Sequence, residues 1–95
     1  MTDRNSEIPR AFNFDKIGKG EIVEEAGVEY DEWAPTIQVL EFENGQEVLR
    51  FCYYTQSGKL APRALYLDKT DIANLREEIK NKPLVKKFIQ NLLTE

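Results

Sequence analysis

An Asn-Gly pair between two strand-like segments is the feature that most constrains the fold of this chain. Residues 36–43 (TIQVLEFE) and Glu47–Thr55 (EVLRFCYYT) are rich in β-branched and aromatic residues, and they flank Asn44-Gly45. Asn and Gly both accept the positive φ angles that tight hairpin turns require, and β-branched and aromatic residues favour strands on either side. We therefore predict an antiparallel β-hairpin at the centre of the chain.

Two further strands extend this hairpin into a meander. Residues 21–30 hold three β-branched residues interrupted by Gly27, which indicates a bulged strand or an edge strand. Residues 59–67 follow a turn-like Gln-Ser-Gly triplet, and Pro62 places that strand at an edge or a bulge. The polar residues 1–13 are expected to form a flexible arm, which leaves 14–95 as a single domain.

The hydrophobic period changes from 2 to 3.6 after residue 67. Asp68 is a good N-cap, and Ile72, Leu75 and Ile79 fall on one face of a helix over residues 69–80. Pro83 suits the first position of a second helix with an apolar stripe. The layout is β-β-β-β-α-α, an α+β domain in which a four-stranded antiparallel sheet carries one or two helices on one face.

The residue inventory excludes several classes of function. The chain has no histidine and one cysteine, Cys52, so histidine acid–base catalysis and a Cys/His zinc site are both excluded. We therefore expect that the protein is not an enzyme and that it binds neither a cofactor nor a metal ion. No apolar run approaches 18 residues and residues 1–10 lack a signal-like apolar core, so we expect no membrane span and a cytoplasmic location, nucleoid-associated or nuclear.

The net charge of −4 is unevenly distributed along the chain. Residues 1–45 carry four basic and eleven acidic residues, whereas residues 46–95 carry nine basic and six acidic residues. The first part is therefore −7 and the second +3. This asymmetry indicates either an acidic segment that competes for a basic surface or acidic side chains that solvate exposed strands.

Alternating side chains along the strands place aromatic and basic residues on the sheet. In Glu47–Thr55 one face holds Arg50 and Tyr54 and the other holds Phe51 and Tyr53. Helices can cover only one face, so aromatic residues remain for stacking on unpaired bases or for packing within the protein. The candidates for nucleic-acid contacts are Arg50, Tyr53, Tyr54, Lys59, Arg63 and Tyr66, with Phe51 and Trp33 as further aromatic residues.

Residues 44–79 resemble the C-terminal domain of the transcriptional coactivator PC4, a single-stranded DNA-binding family. The resemblance rests on a Gly-containing hairpin turn, the strand segment VLRFCYY, the turn at Gly58, the segment KLAPRALYL, an N-cap and an amphipathic helix. It implies a strongly curved sheet, a homodimer formed through the helices, and single-stranded DNA lying across the sheets. Lys59 and Arg63 match cations that contact the DNA backbone, and Tyr53 and Tyr54 fall near a basic and aromatic cluster.

The chain also departs from this family pattern. Glu41, Glu43 and Glu47 occupy a stretch where the family is rich in Lys and Arg, and the second helix is additional. The resemblance implies a transcription-cofactor-like protein that binds single-stranded DNA non-specifically, with RNA as an open alternative to DNA. The competing hypothesis is a protein-interaction domain that shares the fold without binding nucleic acid.

Overall fold

A computed structural model of the chain describes residues 8–14, 16–61 and 64–94. The described residues form four strands and two helices: β1 (Arg10–Phe14), β2 (Gly18–Gly27), β3 (Trp33–Phe42), β4 (Glu47–Thr55), α1 (Lys69–Ile79) and α2 (Pro83–Leu93). The strands form one antiparallel sheet in the order β1-β2-β3-β4. The predicted α+β class, a four-stranded antiparallel meander followed by two helices, is confirmed. No helix in the described part of the chain has the length and apolar character needed to cross a membrane.

The central hairpin is formed by β3 and β4, as the Asn-Gly pair predicts. Phe42 N–H donates to Gln46 O at 2.9 Å, and Gly45 N–H donates back to Phe42 O at 2.9 Å. Gly45 has a φ of 89°, the left-handed conformation that glycine adopts at little cost. Asn44 Oδ1 accepts from Gln46 N–H at 2.9 Å and holds the loop from within. These local contacts explain why the hairpin can be read from the sequence.

The first strand of the sheet lies where the sequence indicates an arm. Residues 10–13 belong to β1, which pairs with β2 from Arg10 opposite Ile22 to Phe14 opposite Gly18. Gly20 of β2 allows a close approach of β3, because a Cβ built there would lie 2.0 Å from Glu41 O. Residues 1–7 of the predicted arm lie outside the described residues.

The predicted strand over residues 59–67 is wrong for the described part of that segment, 59–61 and 64–67. Ala61 N–H donates to Tyr53 O at 2.9 Å and Thr55 N–H donates to Lys59 O at 2.8 Å, and Leu60 forms an isolated bridge with Tyr54. Residues 64–67, the next described part of the chain, form no further pairing with the sheet. A proline follows Ala61, and proline has no N–H with which to continue a ladder.

A β-bulge in β2 determines which side chains face the helices. The register shifts between Ile22 and Glu24, so Val23 is an extra residue in the strand. Val23 packs against the helix-side core, and Glu24 Oε1 accepts a hydrogen bond from Val85 N–H of α2 at 2.7 Å. Val23 and Glu24 are successive residues and yet both point to the same side of the sheet, as a bulge permits.

The sheet has two faces, which we call the helix face and the helix-free face. The helix face carries Ile37 and Val39 of β3, which form the main core with Leu75 of α1 and Val85 of α2. The helix-free face carries a second apolar cluster around buried Phe12, Ile22 and Leu40.

The two helices begin in different ways. α1 has a complete capping box, with Asp71 N–H donating to Asp68 Oδ1 at 2.8 Å and Asp68 N–H donating to Asp71 Oδ2 at 3.1 Å. α2 begins with Pro83, and its N-cap Lys82 provides no side-chain hydrogen bond. Glu24 of the sheet satisfies one of its first N–H groups instead. The predicted positions of both helices are confirmed.

Candidate nucleic-acid interface

The residues predicted to bind nucleic acid lie on both faces of the sheet. Arg50 and Tyr54 of β4 belong to the helix-free face, because their β3 partners are Gln38 and Ala34. Tyr53 pairs with Pro35 and belongs to the helix face. Lys59 and Tyr66 follow β4 and are exposed, and Arg63 lies outside the described residues. The sequence therefore identifies the alternation along β4 correctly.

A hydrogen-bond network occupies the helix-free face around Gln38. The Nε2 group of Gln38 donates to Glu25 Oε2 at 2.6 Å and to the Tyr54 hydroxyl at 2.8 Å. Its Oε1 atom accepts from Nε of Arg50 at 2.9 Å, from Nη2 of the same guanidinium, and from Cys52 Sγ at 3.6 Å. Gln38 is fully buried and Tyr54 is 2 % exposed. The ring of Tyr54 is thus buried in the protein interior in this conformation.

Arg10 joins this network from the opposite edge of the sheet. Its Nη2 atom donates to Glu25 Oε2 at 2.8 Å and lies 3.4 Å from the Tyr54 hydroxyl. Burial, the largest influence, lowers the pKa of Arg10, but the hydrogen bond and charge of Glu25 outweigh it and raise that pKa above its ordinary value. Because β1 and β4 are the two outer strands, this contact shows that the sheet curls around its helix-free face.

An open aromatic cleft lies at one end of the helix face. It encloses about 490 Å³ and is lined by Glu32, Trp33, Tyr53, Ala64 and Tyr66. The Trp33 and Tyr53 rings meet edge to face, with centroids 5.7 Å apart and an interplanar angle of 81°. Tyr66 is 82 % exposed, and Trp33 and Tyr53 are half-buried. The cleft therefore presents three aromatic side chains to solvent around one shallow space.

The surroundings of this cleft combine a rigid support with charges of both signs. Tyr30 packs on Trp33 with ring centroids 5.7 Å apart, and Asn74 of α1 donates to the Tyr30 hydroxyl at 2.9 Å. Lys59 lies opposite Thr55 in the short ladder, which places it on the same face as Tyr53. Glu32 supplies a negative charge to the lining, so the site is less basic than its aromatic content alone would suggest.

An apolar groove occupies the other part of the helix face. It encloses about 450 Å³ between α1, α2 and β4. Phe51 and Ile72 are each 48 % exposed, and Leu92 and Leu93 at the end of α2 are 74 % and 79 % exposed. The helices therefore leave apolar side chains of the sheet and of their own surfaces uncovered.

The sequence did not reveal the network around Gln38. A single amide inside the apolar strand TIQVLEF was its only local signal, and its partners Arg10 and Glu25 come from strands β1 and β2. No group of three or more potential metal ligands occurs among the described residues. No protein-family model, no curated protein and no solved structure matches the chain.

Proposed function

We propose that this protein binds single-stranded nucleic acid through the cleft lined by Trp33, Tyr53 and Tyr66. The supporting observation is the exposure of these aromatic side chains around one open space, with Tyr66 82 % exposed. Unpaired bases stack on such rings with a gain of roughly 1–3 kcal/mol per base, whatever their identity. The resemblance to the PC4 family supports DNA over RNA and a transcription-cofactor-like role.

Charge around the cleft sets the expected affinity. Lys59 lies on the same face as Tyr53 and can neutralise a phosphate, whereas Glu32 lines the cleft and repels one. The negative charge of the chain as a whole also opposes binding at long range. Binding is therefore expected to be weak, to fall with added salt, and to improve several-fold in Glu32→Gln.

An oligonucleotide titration tests this proposal. Oligo-dT should quench the fluorescence of Trp33, the only tryptophan, at low salt. Tyr66→Ala should weaken binding roughly tenfold because it removes one stacking surface, whereas Tyr66→Phe should retain it. Lys59→Ala should lower the slope of log affinity against log salt by about one.

Lys87→Ala provides the matched charge control. Lys87 is exposed on α2 and has no hydrogen bond or ion pair within the described part of the chain. Its loss should leave the salt slope unchanged. The proposal is abandoned if oligo-dT fails to bind at tens of micromolar protein, or if Tyr66→Ala and Lys87→Ala behave alike.

The apolar groove favours a second proposal, association of two copies through the helices. The exposed leucines at the end of α2 and the exposed ring of Phe51 are side chains that oligomer interfaces commonly cover. A homodimer formed this way would be isologous, with the same surface contributed by each chain. The competing hypothesis, a protein-interaction domain that does not bind nucleic acid, would use the same groove for a different partner.

Sedimentation distinguishes these possibilities. A homodimer should sediment as twice the chain mass of 11.0 kDa, and Leu93→Lys should shift it towards the monomer. Ile17→Lys is the control, because Ile17 is 66 % exposed and lies outside the groove. A monomer at high micromolar concentration would rule out self-association, and oligonucleotide binding by that monomer would still support the first proposal.

A further inference from the structure

A small cavity lies on the helix-free face between the two outer strands and Leu60. It encloses about 180 Å³ and is separate from the aromatic cleft, which lies on the helix face. Its polar lining residues are two arginines, a tyrosine and an asparagine, and its apolar lining residues are aromatic and aliphatic: Arg10, Arg50, Tyr54 and Asn13, then Phe12, Phe14, Ala11, Ile22 and Leu60.

The guanidinium of Arg50 is held in place, but not all of its N–H groups form hydrogen bonds within the described part of the protein. Its Nε and Nη2 atoms donate to the single oxygen Oε1 of Gln38, and its Cζ lies 4.5 Å above the centre of the Phe14 ring. Five N–H groups are available on a guanidinium, so three remain, two on Nη1 and one on Nη2. One of the Nη1 groups and the remaining Nη2 group form the fork that binds a carboxylate through two parallel hydrogen bonds.

Arg50 also has no carboxylate partner among the described residues. The other guanidinium of the cavity, that of Arg10, already pairs with Glu25 at 2.8 Å. Gln38 carries no charge, so it accepts two hydrogen bonds from Arg50 without neutralising its charge. The cavity therefore presents one preoriented cation to any molecule that enters it.

The remaining walls of the cavity indicate the chemistry of the rest of such a ligand, beyond its anionic group. Phe12 is buried, and Phe14 and Leu60 are half-buried beside the cavity. Cavities of about 150 Å³ with apolar walls accept a benzene ring. The volume here, about 180 Å³, is larger, so it is sufficient for a ring bearing one carboxylate.

We propose that this cavity binds a small aromatic monocarboxylate, with the carboxylate on the Arg50 fork and the ring between Phe14 and Leu60. Phe14 covers one face of the guanidinium and thereby shields it from water, which strengthens its attraction for an anion. The ligand class follows from one free fork, one uncompensated positive charge and an apolar wall.

Benzoate is the probe for this site, measured by amide chemical shifts of the full-length protein. Saturable shifts are expected at residues 11–14, at Tyr54 and at Leu60. Benzamide has the same shape without the charge, and inorganic phosphate has the charge without the ring. Both should bind at least about tenfold more weakly than benzoate, because each lacks one half of the recognition.

Two variants test the two halves of the site independently. Arg50→Met should weaken benzoate binding by about 10- to 100-fold, and Arg50→Lys should be intermediate because it retains the charge but not the fork. Leu60→Trp should block the cavity while leaving Arg50 in place, and it decides the question if Arg50→Met does not fold. Arg76→Met, which changes an exposed arginine on α1, should leave binding unchanged.

The proposal is overturned if benzoate produces no saturable shifts up to about 10 mM. It is also overturned if benzamide or phosphate binds as well as benzoate, or if Leu60→Trp binds normally. Oligo-dT should not compete with benzoate, because the aromatic cleft lies on the opposite face of the sheet. Failure at this cavity would therefore leave the nucleic-acid proposal untouched.

Discussion

Replacing Gln38 by leucine should destabilise the protein far more than the loss of one amide suggests. Gln38 is fully buried, and its side chain bonds to Glu25, Tyr54 and Arg50 and also accepts from Cys52 Sγ, a weak donor, at 3.6 Å. Leucine has a similar size but no polar atoms, so these partners lose their bonds while staying where they are. The substitution thus isolates the hydrogen bonds from the packing.

The expected magnitude follows from what each partner retains. An unsatisfied buried polar group costs about 1–3 kcal/mol. Glu25 and Tyr54 both keep a contact with Arg10, and Arg50 is only half-buried, so each loss should fall near the lower limit. The sum is about 3 kcal/mol, against a total of roughly 5–14 kcal/mol for a domain of this length.

Urea unfolding followed by the fluorescence of Trp33 measures this difference. With a slope near 1–1.5 kcal/mol per molar urea, the midpoint of Gln38→Leu should fall by about 2–3 M with the slope unchanged. Gln56→Leu is the matched control, since Gln56 is exposed in a turn, and it should change stability by less than about 0.5 kcal/mol. A loss below about 1 kcal/mol for Gln38→Leu would refute the reasoning, because it would mean that water replaces the amide freely.

Two further predictions concern the backbone and the first helix. Gly20→Ala should lower the free energy of unfolding by more than about 2 kcal/mol in the same urea assay, because its Cβ would lie 2.0 Å from Glu41 O. Gly45→Ala meets nothing within 4 Å and should cost only about 1 kcal/mol for its φ of 89°; equal losses would contradict this account. The backbone hydrogen bond from Asp68, followed by the hydrogen bond from a tyrosine hydroxyl, lowers the pKa of Asp71 from its ordinary value of 3.8. The stabilisation that these hydrogen bonds give to the charged Asp71 carboxylate is present above pH 3.8 and is lost as the pH falls through the lowered pKa. The stability difference between wild type and Asp71→Asn should therefore shrink in acid. A difference that grows there would contradict the assignment.

The elements that the sequence predicts well are those specified by nearby residues. The hairpin depends on Asn44 and Gly45, and α1 depends on the reciprocal hydrogen bonds of Asp68 and Asp71, all within a few positions of each other. β1 has only five residues and lies in the polar segment that the sequence indicates as an arm, and its place in the sheet depends on its pairing with β2. That pairing is a property of the folded sheet, so the pattern within residues 10–14 does not reveal it.

The candidate site was predictable to a similar extent. Alternation along β4 correctly separates Tyr53 from Arg50 and Tyr54, but it does not show which of the two sets lies on the helix face. The strand expected over residues 59–67 is wrong for the described residues of that segment, because alternation of apolar residues cannot show where ladder hydrogen bonds form. Burial of Tyr54 depends on the curl that brings Arg10 across from β1, and no pattern within β4 reports that curl.

The bond from Val85 N–H to Glu24 also bears on the order of folding. Glu24 stands 61 positions before Val85, and Lys82 contributes no cap of its own, so the start of α2 is completed only when β2 is in place. α1 carries its own reciprocal cap and can form its first turn from local contacts alone. We therefore expect α1 to gain structure early, and α2 to become stable late, after the bulged strand has taken its position.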